Sequence, residues 1–249
     1  MRFRFNDLLL FLLLFVFVAA FPVNLITKDP SGQLAIQIGL RLLILAYYVY
    51  LIIKNRIKVF GVANIRNLLI CTPFVLIGTS NIIATLIDGY FVLGEPDYLY
   101  VSLFTIYHLV AVIIEEIVFR LFIHSALVRT TSTKRIFASA GIFALVHLLN
   151  IVNISSVDAL LGVAEQVIYS FGLGILLGLV YEYSHSLTGC VILHFSFNFL
   201  NTILPFILGA HNGVLAYYLS AIISAVVVGG YAAIIWIFVF KRPERYYRS

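Results

Sequence analysis

Two adjacent carboxylates, an arginine, two histidines and an asparagine sit inside otherwise apolar stretches of this chain, at spacings that suit acid–base chemistry. Glu115-Glu116-Ile117-Val118-Phe119-Arg120 holds the first three, Phe143-Ala144-Leu145-Val146-His147 ends on a histidine, and His194-Phe195-Ser196-Phe197-Asn198 holds the rest. On a helix, Glu116 and Arg120 stand four apart on one face and can pair, which lowers the cost of burying each charge. Glu115 points about 100° away. It lacks that partner and is the carboxylate left to act as a general base. His194 and Asn198 also share a face. A carboxylate and an imidazole can each take up or give a proton, and an imidazole and an amide one helical turn apart can both donate hydrogen bonds. A low-dielectric cavity strengthens both effects, provided water reaches it. No Ser or Cys nucleophile stands at motif spacing from a base. Ser196 points to another face, and Cys190, on the His194 face, has apolar surroundings that disfavour a thiolate.

The elements that carry these groups must cross a bilayer. The chain has 249 residues, 62% hydrophobic and 11% charged, with a mean hydropathy of +1.07. A soluble domain carries about 25% charged residues, so composition excludes an ordinary cytosolic enzyme, a disordered chain and a nucleic-acid-binding domain. Cys71 and Cys190 both lie in apolar runs and read as small buried hydrophobes rather than a disulfide framework. Eight stretches reach the roughly 20 apolar residues that a span needs: about 6–24, 33–53, 67–88, 101–128, 135–152, 157–181, 187–207 and 214–240. They are far longer than the ~10-residue alternating strands of a membrane barrel. The expected fold is an all-α polytopic bundle, one transmembrane domain over 1–249.

Topology follows from lysine and arginine. One side would hold thirteen of the sixteen: Arg2, Arg4, Lys54, Arg56, Lys58, Arg66, Arg129, Lys134, Arg135, Lys241, Arg242, Arg245 and Arg248. Lys28 lies opposite, with Asp88, Glu95 and Asp97, while Arg41 and Arg120 fall within spans. Both termini are therefore expected in the cytoplasm, and topology explains the net charge of +5 without any nucleic acid. The run ending Val18-Ala19-Ala20 also resembles a signal-peptide cleavage site, but it continues apolar to Ile26, which favours a retained helix. Counting inward from the cytoplasmic charges at 1.5 Å per residue puts Glu115 at about 21 Å, His147 and Asn198 at about 18 Å and His194 at about 12 Å. Three separate helices thus bring their polar groups to one slab. A charge at the bilayer centre costs about 2.5–3.5 kcal/mol on insertion scales, so a chain that keeps such groups at a shared depth uses them.

Glu-Glu-x-x-x-Arg at 115–120, Phe-x-x-x-His at 143–147 and His-x-x-x-Asn at 194–198 resemble, in order and spacing, the three motifs of the CPBP family, the CAAX-processing and bacteriocin-processing intramembrane proteases also called Abi. Residues 178–187 resemble the usual connection before the third motif. The resemblance covers about residues 100–205, taken as the catalytic motif core. It implies an all-helical intramembrane endopeptidase in which Glu115 with His147 activates a water. His194 and Asn198 would stabilise the oxyanion, and Glu116 and Arg120 would be the supporting pair. It further implies a glutamate-type enzyme without a cofactor, acting at membrane lipid on a peptide or lipidated-protein substrate. The short loops suggest a bacterial, multi-pass protein of the cell membrane.

Other readings of the same residues stay open. Glu115, His147 and His194 make a His₂Glu set of the kind that holds catalytic zinc, although the chain has no His-Glu-x-x-His helix. Deep Glu, His and Arg side chains also build proton relays in transporters, but here they are confined to one slab. A non-catalytic scaffold or immunity protein would be marked by degenerate motifs, and all motif positions are intact. Of the remaining polar residues, Gly174-x-x-x-Gly178 reads as close helix packing. Glu165 either lines the cavity or lies near the outer, wetted end of its span, the second being favoured. Arg41 is expected to snorkel or meet a carboxylate, and His108 and His124 are read as structural or interfacial. Tyr217, Tyr218, Trp236, Tyr246 and Tyr247 suit aromatic belts.

Overall fold

A computed structural model describes residues 5–57, 78–92, 97–127, 130–153, 157–212, 214–223 and 229–235, with isolated positions between them. Helices dominate. α1 is Phe5–Ala19, α2 Pro30–Lys54, α3 Ser80–Ile87, α4 Tyr98–Glu116, α5 Ser132–Val146, α6 Val157–Ser184, α7 Leu187–Asn198, α8 Leu204–Ile207, α9 Val214–Ile223 and α10 Gly229–Ile235. Their starts are written in short polar residues that satisfy the free N–H groups of a first turn. The Asp29 carboxylate accepts from Gly32 N at 2.6 Å, with Pro30 opening α2, and Asp97 accepts from Tyr100 N at 3.0 Å to start α4. Thr131 and Ser186 do the same for α5 and α7.

Four described helical stretches are long and apolar enough to cross a membrane: Pro30–Lys54, Ser132–Ile151, Ala159–Ser184 and Leu187–Ile207. They correspond to the second, fifth, sixth and seventh expected spans. The fourth, α4 with its continuation to His124, carries the Glu-Glu-x-x-x-Arg charges. Most of the first half of the third expected span, Cys71, and most of the basic residues of the N-terminus, the 58–66 stretch and the C-terminus lie outside the described residues. The outer surface is apolar: Leu43, Ile53 and Leu145 are 71%, 70% and 60% exposed, whereas Glu116 and Arg120 are 0% exposed. Apolar outside and charged inside is the distribution a lipid solvent selects.

Two π-helical segments lie at the first and third motifs. α4 runs on as a π-helix over Ile117–His124, and α7 as a π-helix over Phe199–Ile203 before α8. Such segments widen a helix by one residue per turn and concentrate at functional sites. Around the first of them lies the core. Phe11 packs on Phe122 with ring centroids 4.4 Å apart, and the buried Tyr48 hydroxyl donates to the Phe11 carbonyl at 2.8 Å, tying α1 and α2 to the π segment.

The expected close packing at Gly174 and Gly178 is present, between α5 and α6. A Cβ on Gly174 would lie 2.9 Å from Ala140 Cα, and one on Gly178 3.2 Å from an Ile136 methyl. The all-helical expectation needs one amendment. Gly89–Phe91 (β1) and Ala210–Asn212 (β2) form an antiparallel pair, Tyr90 opposite His211. Gly89 permits it, because a Cβ there would come within 2.5 Å of the His211 carbonyl.

Candidate active site

α4, α5 and α7 each turn one face toward a single cavity of about 180 Å³, and α1, α2 and α6 complete its wall. Glu115, His147, His194 and Asn198, the four residues expected to do chemistry, all line it. On α4 the lining positions His108, Ala111 and Glu115 follow a helical stripe, three and then four apart, and His194, Asn198 and Thr202 stand four apart each along α7 and its continuation.

Glu116 and Arg120 stand behind this wall. Arg120 Nε donates to Glu116 Oε2 at 3.1 Å, the pairing that their spacing of four predicts. Arg120 Nη1 donates to Ser139 Oγ at 3.2 Å, and Ser139 Oγ donates to the Phe119 carbonyl at 2.9 Å, which carries the pair across to α5. The guanidinium lies 5.4 Å from the Phe143 ring centre. These contacts occupy Nε and Nη1, while Nη2 is buried without a hydrogen-bond partner among the described residues.

His194 joins the two carboxylates. Its Nδ1 is 2.8 Å from Glu116 Oε1, and its Nε2 is 3.6 Å from Glu115 Oε2. Since Glu116 already accepts from Arg120, Nδ1–H is the donor in the first contact, and Nε2 is left facing Glu115. Glu115 is thus not solitary, as its place on the helix suggested: the imidazole of α7 stands beside it. His147 is fixed differently. Its Nδ1 is 2.8 Å from the Phe143 carbonyl. A carbonyl can only accept, so Nδ1 carries a proton, and the neutral form of the ring has its lone pair at Nε2. Phe143 also meets both imidazoles edge to face, at 4.9 Å for His147 and 5.6 Å for His194.

The other polar residues divide between the cavity and the packing around it. Arg41 meets no carboxylate among the described residues. It lines the cavity, as does His108. Glu165 borders a second cavity that shares Gln166, Tyr169 and Thr202 with the first. His124 is structural, its Nε2 2.7 Å from Glu182 Oε2. Cys190 is buried, its Sγ 3.5 Å from the Leu177 carbonyl, and does not line the cavity. Two signals could have found the missed lining residues. Counting inward from Lys54 puts Arg41 at about 20 Å, in the slab of the motifs, and His108 precedes Glu115 by seven residues, two turns along one face.

Among the described residues no three His, Cys, Asp or Glu side chains gather closely enough to hold a metal ion. Both histidines are held by Nδ1, on Glu116 and on the Phe143 carbonyl, which leaves each Nε2 toward the cavity.

Fold and site together define a helical membrane protein with a polar chamber inside its bundle. Residues 97–200 match the family model described as Rce1-like, type II CAAX prenyl endopeptidase. That stretch contains all three motifs, so the family match and the motif resemblance fall on the same residues. No curated protein matches the chain.

Proposed function

We propose that this protein is an intramembrane endopeptidase that cleaves a prenylated or otherwise membrane-associated peptide, with its basic loops and both termini in the cytoplasm. One observation carries the reading: four side chains from three helical segments, each able to serve hydrolysis, line one cavity. Glu115 takes a proton from a water that His147 Nε2 helps to orient, and the resulting hydroxide adds to the scissile carbonyl carbon. The oxygen becomes an oxyanion, which accepts from the Asn198 amide and, when His194 carries a proton at Nε2, from that imidazole. Glu115 then returns its proton to the leaving nitrogen as the C–N bond breaks, leaving an acid and an amine. Glu116 holds His194 by Nδ1 so that Nε2 faces the reaction, and Arg120 keeps Glu116 a charged acceptor.

The test uses the full chain in detergent micelles and a quenched fluorogenic farnesylated peptide. Replacing a general base typically removes about 10²–10⁴ of the rate. Glu115→Gln should therefore lose at least a hundredfold in cleavage while unfolding at the wild-type temperature. Cleavage retained in that variant would overturn the mechanism.

A further inference from the structure

Arg41 belongs to α2, which supplies none of the three motifs, yet it lines the same cavity as Glu115 and is only 7% exposed. Its guanidinium rests on the Tyr107 ring, 4.2 Å from the ring centre. Nη2 donates to the Tyr107 hydroxyl at 2.9 Å, and Nη1 to Gln37 Oε1 at 3.3 Å and the Gln37 carbonyl at 3.4 Å. All three acceptors are neutral. Among the described residues no carboxylate pairs with it. Of its five N–H groups, that on Nε and one on Nη2 find no acceptor there. The contrast with Arg120, which sits on Glu116, is direct.

A cation inside a membrane bundle is expensive, and such residues pair or meet a ligand. Here the protein grips the guanidinium with neutral groups and leaves the counter-charge to whatever occupies the cavity. A peptide chain carries one backbone anion of matching shape, its C-terminal carboxylate, whose two oxygens fit the guanidinium fork. A C-a-a-X segment stands at the chain end and therefore brings that carboxylate with it.

We propose that Arg41 reads the free C-terminal carboxylate of the peptide, with Tyr107 and Gln37 as positioning residues that hold its guanidinium. The chain end would then set where the backbone lies relative to Glu115, so the enzyme would measure from the terminus. The inference rests on the endopeptidase reading for the cut but not for the binding.

The test pairs two fluorescent farnesylated peptides of one sequence, one ending in a free acid and one in a carboxamide. Binding is read by anisotropy on the full chain carrying Glu115→Gln, and cleavage on the wild type. The acid should bind about tenfold to a hundredfold more tightly than the amide, the range for hydrogen bonds to a charged group. Adding Arg41→Gln should bring that ratio close to one. Arg41→Lys, which keeps the charge but not the fork, should lower it several-fold, and serves alone if the glutamine variant does not fold. An unchanged ratio in the variants, or no preference in the unaltered cavity, overturns the inference. So does loss of the preference on adding inorganic phosphate or phosphatidylglycerol vesicles, which would assign Arg41 to a phosphate. An Arg41-dependent preference for the acid alongside a wild type that cleaves neither peptide would support the inference while removing the hydrolytic reading.

Discussion

Two glutamates in this protein keep the same company. Glu116 has Arg120 and His194 beside it, and Glu182 has Arg135 and His124. The first trio is sealed, with both side chains of its ion pair at 0% exposure. The second lies at the end of α6, where the Glu182 side chain is 15% exposed, bonded by both Arg135 and Ser132 of α5. What separates them is the second nitrogen of each histidine. His194 Nε2 faces Glu115 at the cavity, whereas His124 Nδ1 is buried with no hydrogen-bond partner among the described residues. The same three residue types therefore orient a reactive ring in one place and fasten helix ends in the other. Whether the ring keeps a free nitrogen toward open space decides which.

The comparison can be broken from either side. Arg120→Ala leaves Glu116 buried without its cation and should cost about 3–5 kcal/mol. Thermal unfolding in detergent should show a large drop, with cleavage lost as well. Glu116→Gln keeps the shape but weakens the hold on both Arg120 and His194. Cleavage should fall by about a hundredfold, the loss typical of one mispositioned oxyanion donor, and a loss under threefold would show that His194 does not depend on Glu116. Glu182→Gln is the matched change in the other trio. Partly exposed pairs contribute about 1 kcal/mol or somewhat more. The protein should lose a corresponding few degrees of stability with cleavage within a few-fold of wild type, and a hundredfold loss there would erase the distinction between the trios. Ser139→Ala removes the hydroxyl that links Arg120 to α5. It should cost about 1 kcal/mol, visible in unfolding and barely in turnover.

Much of the site was legible in the sequence because it obeys rules of short range. The spacing of Glu116 and Arg120 fixed their pairing, and the common depth of Glu115, His147 and Asn198 anticipated a shared cavity. The partner of Glu116 was not legible. Which face of α7 meets α4 is settled by side-chain packing and close contacts across the bundle, and no local period encodes it. Glu115 accordingly read as isolated when His194 stands 3.6 Å away. Arg41 was misread for another reason: a lone cation in an apolar helix looks like a snorkelling one until its neighbours are known. The β1–β2 pair escaped because three-residue strands carry no usable alternation.

The π segments bear on how this chain can change in length. Up to Glu116 and Asn198 the two motif helices advance by α turns, and beyond those residues each turn takes one more residue. A helical wheel drawn from His108 to Glu115 is true to the molecule, and the same wheel carried past Arg120 drifts out of phase. Deleting one residue from either π segment would return that turn to α spacing and leave the residues beyond it facing as they do, whereas the same deletion in an α turn would swing them by about 100°.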